Sequence, residues 1–141
     1  MSIADFKDGL TLGNIQSLLA KTPFARHLEP EVTRCDGGFA ELRVKLRPDL
    51  TQHHGFAHGA VIGCIADSAC AWAAASLAGD VVTSEYKLHL LASGVGDYLI
   101  GRGEIIQPGR RFVIARADVF AVKGDRERLV ATALATVVVM R

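Results

Sequence analysis

One segment limits what this chain can become. From Gly59 to Gly79 it reads GAVIGCIADSACAWAAASLAG, without a proline or a basic residue. A helix that is apolar on every side is a buried helix. Its side chains are mostly Ala and Gly, so whatever covers it can come close. The run is about long enough to cross a bilayer. Ala and Gly are weakly apolar, however, and Asp67 near the middle would cost about 2.5–3.5 kcal/mol there. No cluster of Lys or Arg marks either end. The segment therefore reads as the central helix of a soluble domain, with no membrane as partner.

The flanking sequence supplies the cover. Asn14–Ala20 has apolar positions at helical spacing, closed by Pro23. Strands are expected over Leu28–Cys35 and Phe39–Leu46, joined at Asp36-Gly37-Gly38. The polar stretch Arg47–His58, broken by Pro48 and Gly55, reads as a loop into the long helix. Beyond Gly79 the pattern changes to period two. Strands follow over Val81–Leu91, Asp97–Ile106, Arg111–Val122 and Arg128–Met140, with turns at Gly94-Val95-Gly96, Pro108-Gly109 and Gly124-Asp125. The last strand puts Leu129, Ala131, Ala133, Ala135, Val137 and Val139 on one face, small enough to receive the helix. Its other face, Val130, Thr132, Leu134, Thr136 and Val138, is apolar enough to be covered by another subunit. The class is α+β, with one antiparallel sheet wrapped around a long central helix.

The 141 residues suit a single domain spanning 1–141. Net charge is +1, which gives no reason to expect a nucleic-acid partner. Cys35, Cys64 and Cys70 are an odd count with no CxxC pair, and MSIADFKDGL lacks the apolar core of a signal peptide. Both point to a reducing cytoplasm. His53, His54 and His58 could form a metal site only on a helix, and Gly55 places them in a loop, so no metal is expected.

Asp67 is the chemical anomaly. An ionised carboxylate among apolar residues is costly unless paired or hydrogen-bonded, and is kept for structure or for chemistry. The structural alternative is a carboxylate pinned by a hydroxyl or by backbone N–H groups. A second feature is the helix start, where His58-Gly59-Ala60 carries little bulk. Unpaired N–H groups at a helix N-terminus suit an oxyanion, and Gly59 lets a carbonyl approach. Eight residues separate Gly59 from Asp67, about 12 Å along a helix. The two cannot grip one carbonyl within one chain. Acting together, they must come from different chains of a dimer.

HHGFAHGAVIGCIADSA, followed by TSEYKLHLLAS, resembles the small hot-dog-fold acyl-CoA thioesterases of the phenylacetyl-CoA thioesterase type, within the 4-hydroxybenzoyl-CoA thioesterase superfamily. Their hallmark is Asn-x-x-Gly-x-x-His-Gly-Gly, with an acid nine positions after the His. Gly55, His58, Gly59 and Asp67 stand at that spacing. The resemblance implies that Asp67 is general base or nucleophile in thioester hydrolysis and that the Gly59 N–H polarises the carbonyl. It implies that His58 helps to place the thioester and Thr83 helps to hold the attacking water. It also implies a site at a dimer interface, assembly as a homodimer or as a homotetramer built as a dimer of dimers, and no cofactor. Two positions depart from the pattern: Gln52 replaces the Asn and Ala60 the second Gly. Arg110 and Arg111, beside Pro108-Gly109, offer guanidiniums to the phosphates of CoA. The rival readings are a hydratase or dehydratase acting on an acyl thioester, and a non-catalytic acyl-CoA-binding module. The acyl group, aryl or medium-chain, is not legible.

Overall fold

The computed structural model describes residues 9–140. Thr11 opens helix α1 (Leu12–Lys21) with a capping box, exchanging hydrogen bonds with Asn14. Past Pro23 the chain forms a short helix, α2 (Ala25–Leu28), which ends where Glu29 turns left-handed. Leu28, expected at the start of a strand, therefore closes a helix instead. Strand β1 (Glu31–Asp36) begins three residues later and turns at Gly37-Gly38 into β2 (Phe39–Lys45). A single 3-10 turn at Pro48–Leu50 precedes helix α3 (Gly59–Ala78). Then come β3 (Val81–Leu90), β4 (Tyr98–Gln107), β5 (Phe112–Lys123) and β6 (Arg126–Val139).

The six strands form one antiparallel sheet in the order β1-β2-β4-β5-β6-β3, and α3 touches all of them. This is the expected hot-dog arrangement. The helix passes the length and apolarity test for a membrane span, yet it lies under the sheet with Ile65, Ala66, Ala69, Cys70, Ala73 and Ala74 fully buried.

Side-chain size sets how close helix and sheet can be. A Cβ added at Gly103 of β4 would stand 2.2 Å from the Ala69 carbonyl oxygen, and one at Gly101 would stand 2.6 Å from Ile65. Both distances are inside contact range, so β4 backbone lies directly against α3 backbone. Ala115 and Ala117 of β5, with Ala131, Ala133 and Ala135 of β6, extend that smooth floor. Leu129 is an exception to the expected face. The β5–β6 register shifts between Val119 and Phe120, so Val130 turns inward and Leu129 is exposed.

The outer face of the sheet is mixed. Phe112 and Leu134 are about half exposed, at 51% and 53%, while Arg102 bridges Glu41 and Glu127 nearby. At one edge β3 pairs, among the described residues, only with β6, and Val82, Tyr86 and Leu90 on it are exposed. The free backbone of a ten-residue edge strand, here with Glu85, Lys87 and His89 among its apolar residues, is a template for further pairing.

All three cysteines are free. Burial, with a smaller contribution from Asp67, pushes the Cys70 thiol up to about 12; burial, then Asp36, pushes Cys35 to about 11. Thiols held protonated in this way resist alkylation.

Three outcomes follow. Gly103→Ala drives a methyl into the Ala69 carbonyl and lowers unfolding free energy by about 3 kcal/mol, the upper end of overpacking costs, measured by urea titration. Iodoacetamide at pH 8 leaves Cys35 and Cys70 unlabelled in the folded protein, and mass spectrometry finds both labelled after unfolding. Above pH 9 the unfolded chain ionises these thiols first, so stability falls as pH rises through that range.

Candidate active site in two halves

The loop before α3 is held by its own backbone. Gln52 N–H donates to Phe56, Gly55 N–H to Gln52, and His58 N–H to Leu50, while Thr51 bridges Ala57. Gly55 takes φ +84°, the left-handed turn that closes this loop. The Gln52 side-chain oxygen accepts from the backbone N–H groups of His54 and Phe56. Its amide NH2 has no acceptor among the described residues. Gln52 thus stiffens the loop with one end and presents a donor with the other.

His58 is the N-cap of α3. Its Nδ1 accepts from the Ala60 N–H at 3.0 Å, so in the neutral ring the proton sits on Nε2. The His58 carbonyl accepts from Val61 and Ile62. That leaves the Gly59 N–H with no acceptor among the described residues, at the positive end of a 20-residue helix. A cavity of about 340 Å³ opens there, bringing Gln52 and Gly59 together with Phe56, Leu90 and Ser93. Ala60 is exposed beside it.

Asp67 belongs to a different part of the surface. Facing residues tie α3 to β3 turn by turn: Gly59 lies against Leu90, and Gly63 against Tyr86 and Leu88. Four helical residues advance about 6 Å and two strand residues nearly 7 Å. The next turn therefore sets Asp67 opposite the Thr83–Ser84 step. Thr83 pairs with the buried Val137 and so shares its helix-facing side. Asp67 is half-buried, at the margin between the sheet-covered face of α3 and an open stripe that includes Ala60, Cys64 and Ala71. Its Oδ1 is sealed from solvent and has no hydrogen-bond partner among the described residues.

The predicted residues thus fall into two groups within one chain. Gln52, Gly55, His58, Gly59 and Ala60 stand at the start of α3, and Asp67 and Thr83 two turns along it, at the sheet edge. Arg110 and Arg111 are in neither. Their exposed turn joins β4 to β5, where Phe112 pairs with Val138 and Val138 with Val82, the end of the sheet away from Gly59. Among the described residues, no group of three or more His, Cys, Asp or Glu side chains is placed to hold a metal. The pattern-based reading did not single out Cys64, Ser68 or Trp72, which share the open side of α3 near Asp67 with a second, apolar cavity.

Comparison with known proteins accords with this architecture. The family described as the thioesterase superfamily matches residues 54–127, which include the end of the loop from His54, α3 and Thr83, but not Gln52. A thioesterase family protein from Silicibacter pomeroyi is 32% identical, with 88% of this chain and 93% of that one covered and a TM-score of 0.83. The PaaI protein from the phenylacetic acid degradation operon of E. coli is 20% identical, covers 92% of each chain and has a TM-score of 0.82. A Haemophilus influenzae thioesterase, also 20% identical, covers 96% of this chain and 94% of its own, again with a TM-score of 0.82. The last two share the fold. Among curated protein sequences, no match was found. With the family matched over just over half of the chain, central helix included, and a 32% identical relative over nearly the whole length, this chain belongs to the thioesterase superfamily and carries its hot-dog fold.

Proposed function

We propose that this protein is a cytoplasmic acyl-CoA thioesterase that hydrolyses an aryl- or medium-chain acyl-CoA to the free acid and CoA, at sites shared between two chains of a homodimer. One observation carries the reading. Two polar groups without a partner among the described residues, the Gly59 N–H and Asp67 Oδ1, lie about 12 Å apart on one helix. The exposed edge strand β3 runs beside both, its outer backbone free to pair with a second copy. Pairing two chains there would bring each Gly59 towards the other chain's Asp67.

In that arrangement the thioester carbonyl oxygen accepts from the Gly59 N–H. Asp67 takes a proton from water as the water oxygen bonds to the carbonyl carbon. The Gly59 N–H then holds the oxyanion, a contribution of about 3–4 kcal/mol for a single donor in other hydrolases. Collapse breaks the C–S bond, and the proton passes from Asp67 to the CoA thiolate. Alternatively, the Asp67 carboxylate attacks the carbonyl and expels CoA thiolate; water then cleaves the mixed anhydride, giving the free acid and Asp67 carboxylate while the water's second proton passes to the thiolate. The Thr83 hydroxyl and the free NH2 of Gln52 position the water. His58 Nε2–H lies beside the thioester, and Gly55 and Ala60 leave it room. Arg110 and Arg111, at the far end of the sheet, reach the CoA phosphates only from a second chain. The half-exposed outer face around Phe112 and Leu134 would join two dimers into a tetramer.

Asp67→Asn tests the chemistry while keeping the shape. Thiol release from a panel of aryl- and fatty acyl-CoA thioesters falls at least about 100-fold, with the unfolding midpoint of the wild type or above. Equal turnover by the two proteins would remove Asp67 from the mechanism, and a wild type inert to the whole panel would refute hydrolysis.

A further inference from the structure

Tyr86 stands midway between the two halves of the site. Gly59, Gly63 and Asp67 follow one another at four-residue intervals, so they form a row along one side of α3. Strand β3 runs against that row, with Leu90 on Gly59 and Tyr86 on Gly63. A Cβ at Gly63 would stand 3.2 Å from the Tyr86 hydroxyl, so the glycine gives that hydroxyl its seat on the helix. We infer that Tyr86 holds the attacking water, its hydroxyl oxygen accepting one hydrogen of the water while Asp67 takes the other. The assignment deepens the thioesterase reading and rests on it.

Reach is the first argument. Cβ positions four apart on a helix are separated by about 5–6 Å. Helical side chains tilt towards the N-terminus, so the Asp67 carboxylate leans towards Gly63 and the hydroxyl above it. One water, about 2.8 Å from each group, spans what remains. Availability is the second. The Tyr86 hydroxyl makes no hydrogen bond among the described residues, and the side chain is 43% exposed. Asp67 Oδ1 is sealed from solvent whereas Oδ2 is not, so the carboxylate meets water through Oδ2. Glu85, the neighbouring acid on β3, is turned to the outer face, where it accepts from the Thr136 hydroxyl at 2.9 Å. Residue type is the third. Leu88 and Leu90 share the helix-facing side of β3 with Tyr86, and packing on Gly63 would be served by another leucine. A water held by Asp67 alone can swing about one bond. With both hydrogens held, it presents a lone pair to the carbonyl carbon.

Tyr86→Phe removes the hydroxyl and keeps the ring on Gly63, so folding is not at stake. Steady-state thiol release by the full-length protein is followed with hexanoyl-CoA and benzoyl-CoA. The substitution lowers kcat about tenfold, what one neutral hydrogen bond contributes, and leaves KM within about twofold of wild type. The urea midpoint and the sedimentation coefficient stay those of the wild type. A wild-type kcat in Tyr86→Phe overturns the assignment. So does a loss confined to KM, which would put the hydroxyl on the bound substrate and not on the water. A slower variant that has also lost stability or its partner chain overturns it too, because Tyr86 would then be a packing residue. None of these three results touches the Asp67→Asn test, so the thioesterase reading survives them. A wild type that releases no thiol from either substrate refutes that reading, and the assignment falls with it.

Discussion

The whole structure depends on how closely α3 lies against β4. Gly103 leaves no room for even one methyl between its backbone and the Ala69 carbonyl, and Gly101 is nearly as tight against Ile65. Contact at that range demands small residues on both surfaces, which is why α3 is built of Ala and Gly and why β5 and β6 offer alanines to it. The same closeness fixes the axial position of the helix against the sheet. Once Gly59 meets Leu90 and Gly63 meets Tyr86, the position of Asp67 at the β3 edge is determined. A carboxylate on a looser helix would have no such defined address.

That address explains an otherwise uneconomical design. A buried carboxylate oxygen with no partner costs about 1–3 kcal/mol or more. The chain has nearby hydroxyls at Ser68 and Thr83, yet neither bonds to Asp67 Oδ1 among the described residues. At the helix start, His58 caps Ala60 and its carbonyl takes Val61 and Ile62, so that the Gly59 N–H is left without an acceptor among the described residues. On the proposed reading these two deficits answer each other across a two-fold axis: one chain supplies the donor and the other the base. Isologous pairing makes two such sites at once.

Much of this could be read in the residues. The unbroken Ala/Gly run required a buried helix, period two marked the strands, and the glycine-rich turns fell where expected. Helix α2 was missed because it is four residues long and its N-cap, Phe24, makes no side-chain cap. The inward turn of Val130 was missed because alternation alone carries no sign of a register shift. At the site, Asp67 stood out because a charge in an apolar helix has few explanations. His58 is a less usual capping residue, and nothing in its neighbours signals that its ring caps Ala60. Cys64, Ser68 and Trp72 were hidden for the opposite reason to Asp67. In a helix this uniformly apolar, a residue lining a cavity looks the same as one filling the core.

Pairwise complementation tests the shared site most directly. Gly59→Pro removes the N–H at the first helical position, where proline is well tolerated. His58, with ψ 137°, already has the conformation that a following proline favours. Asp67→Asn removes the base. Each variant alone should be inactive. Co-expressed in equal amounts and allowed to pair at random, half of the dimers would be mixed and would carry one intact site of two. The account predicts that roughly a quarter of wild-type thiol release returns in that mixture. A mixture as inactive as its two components would contradict it, and would place the donor and the base in the same chain.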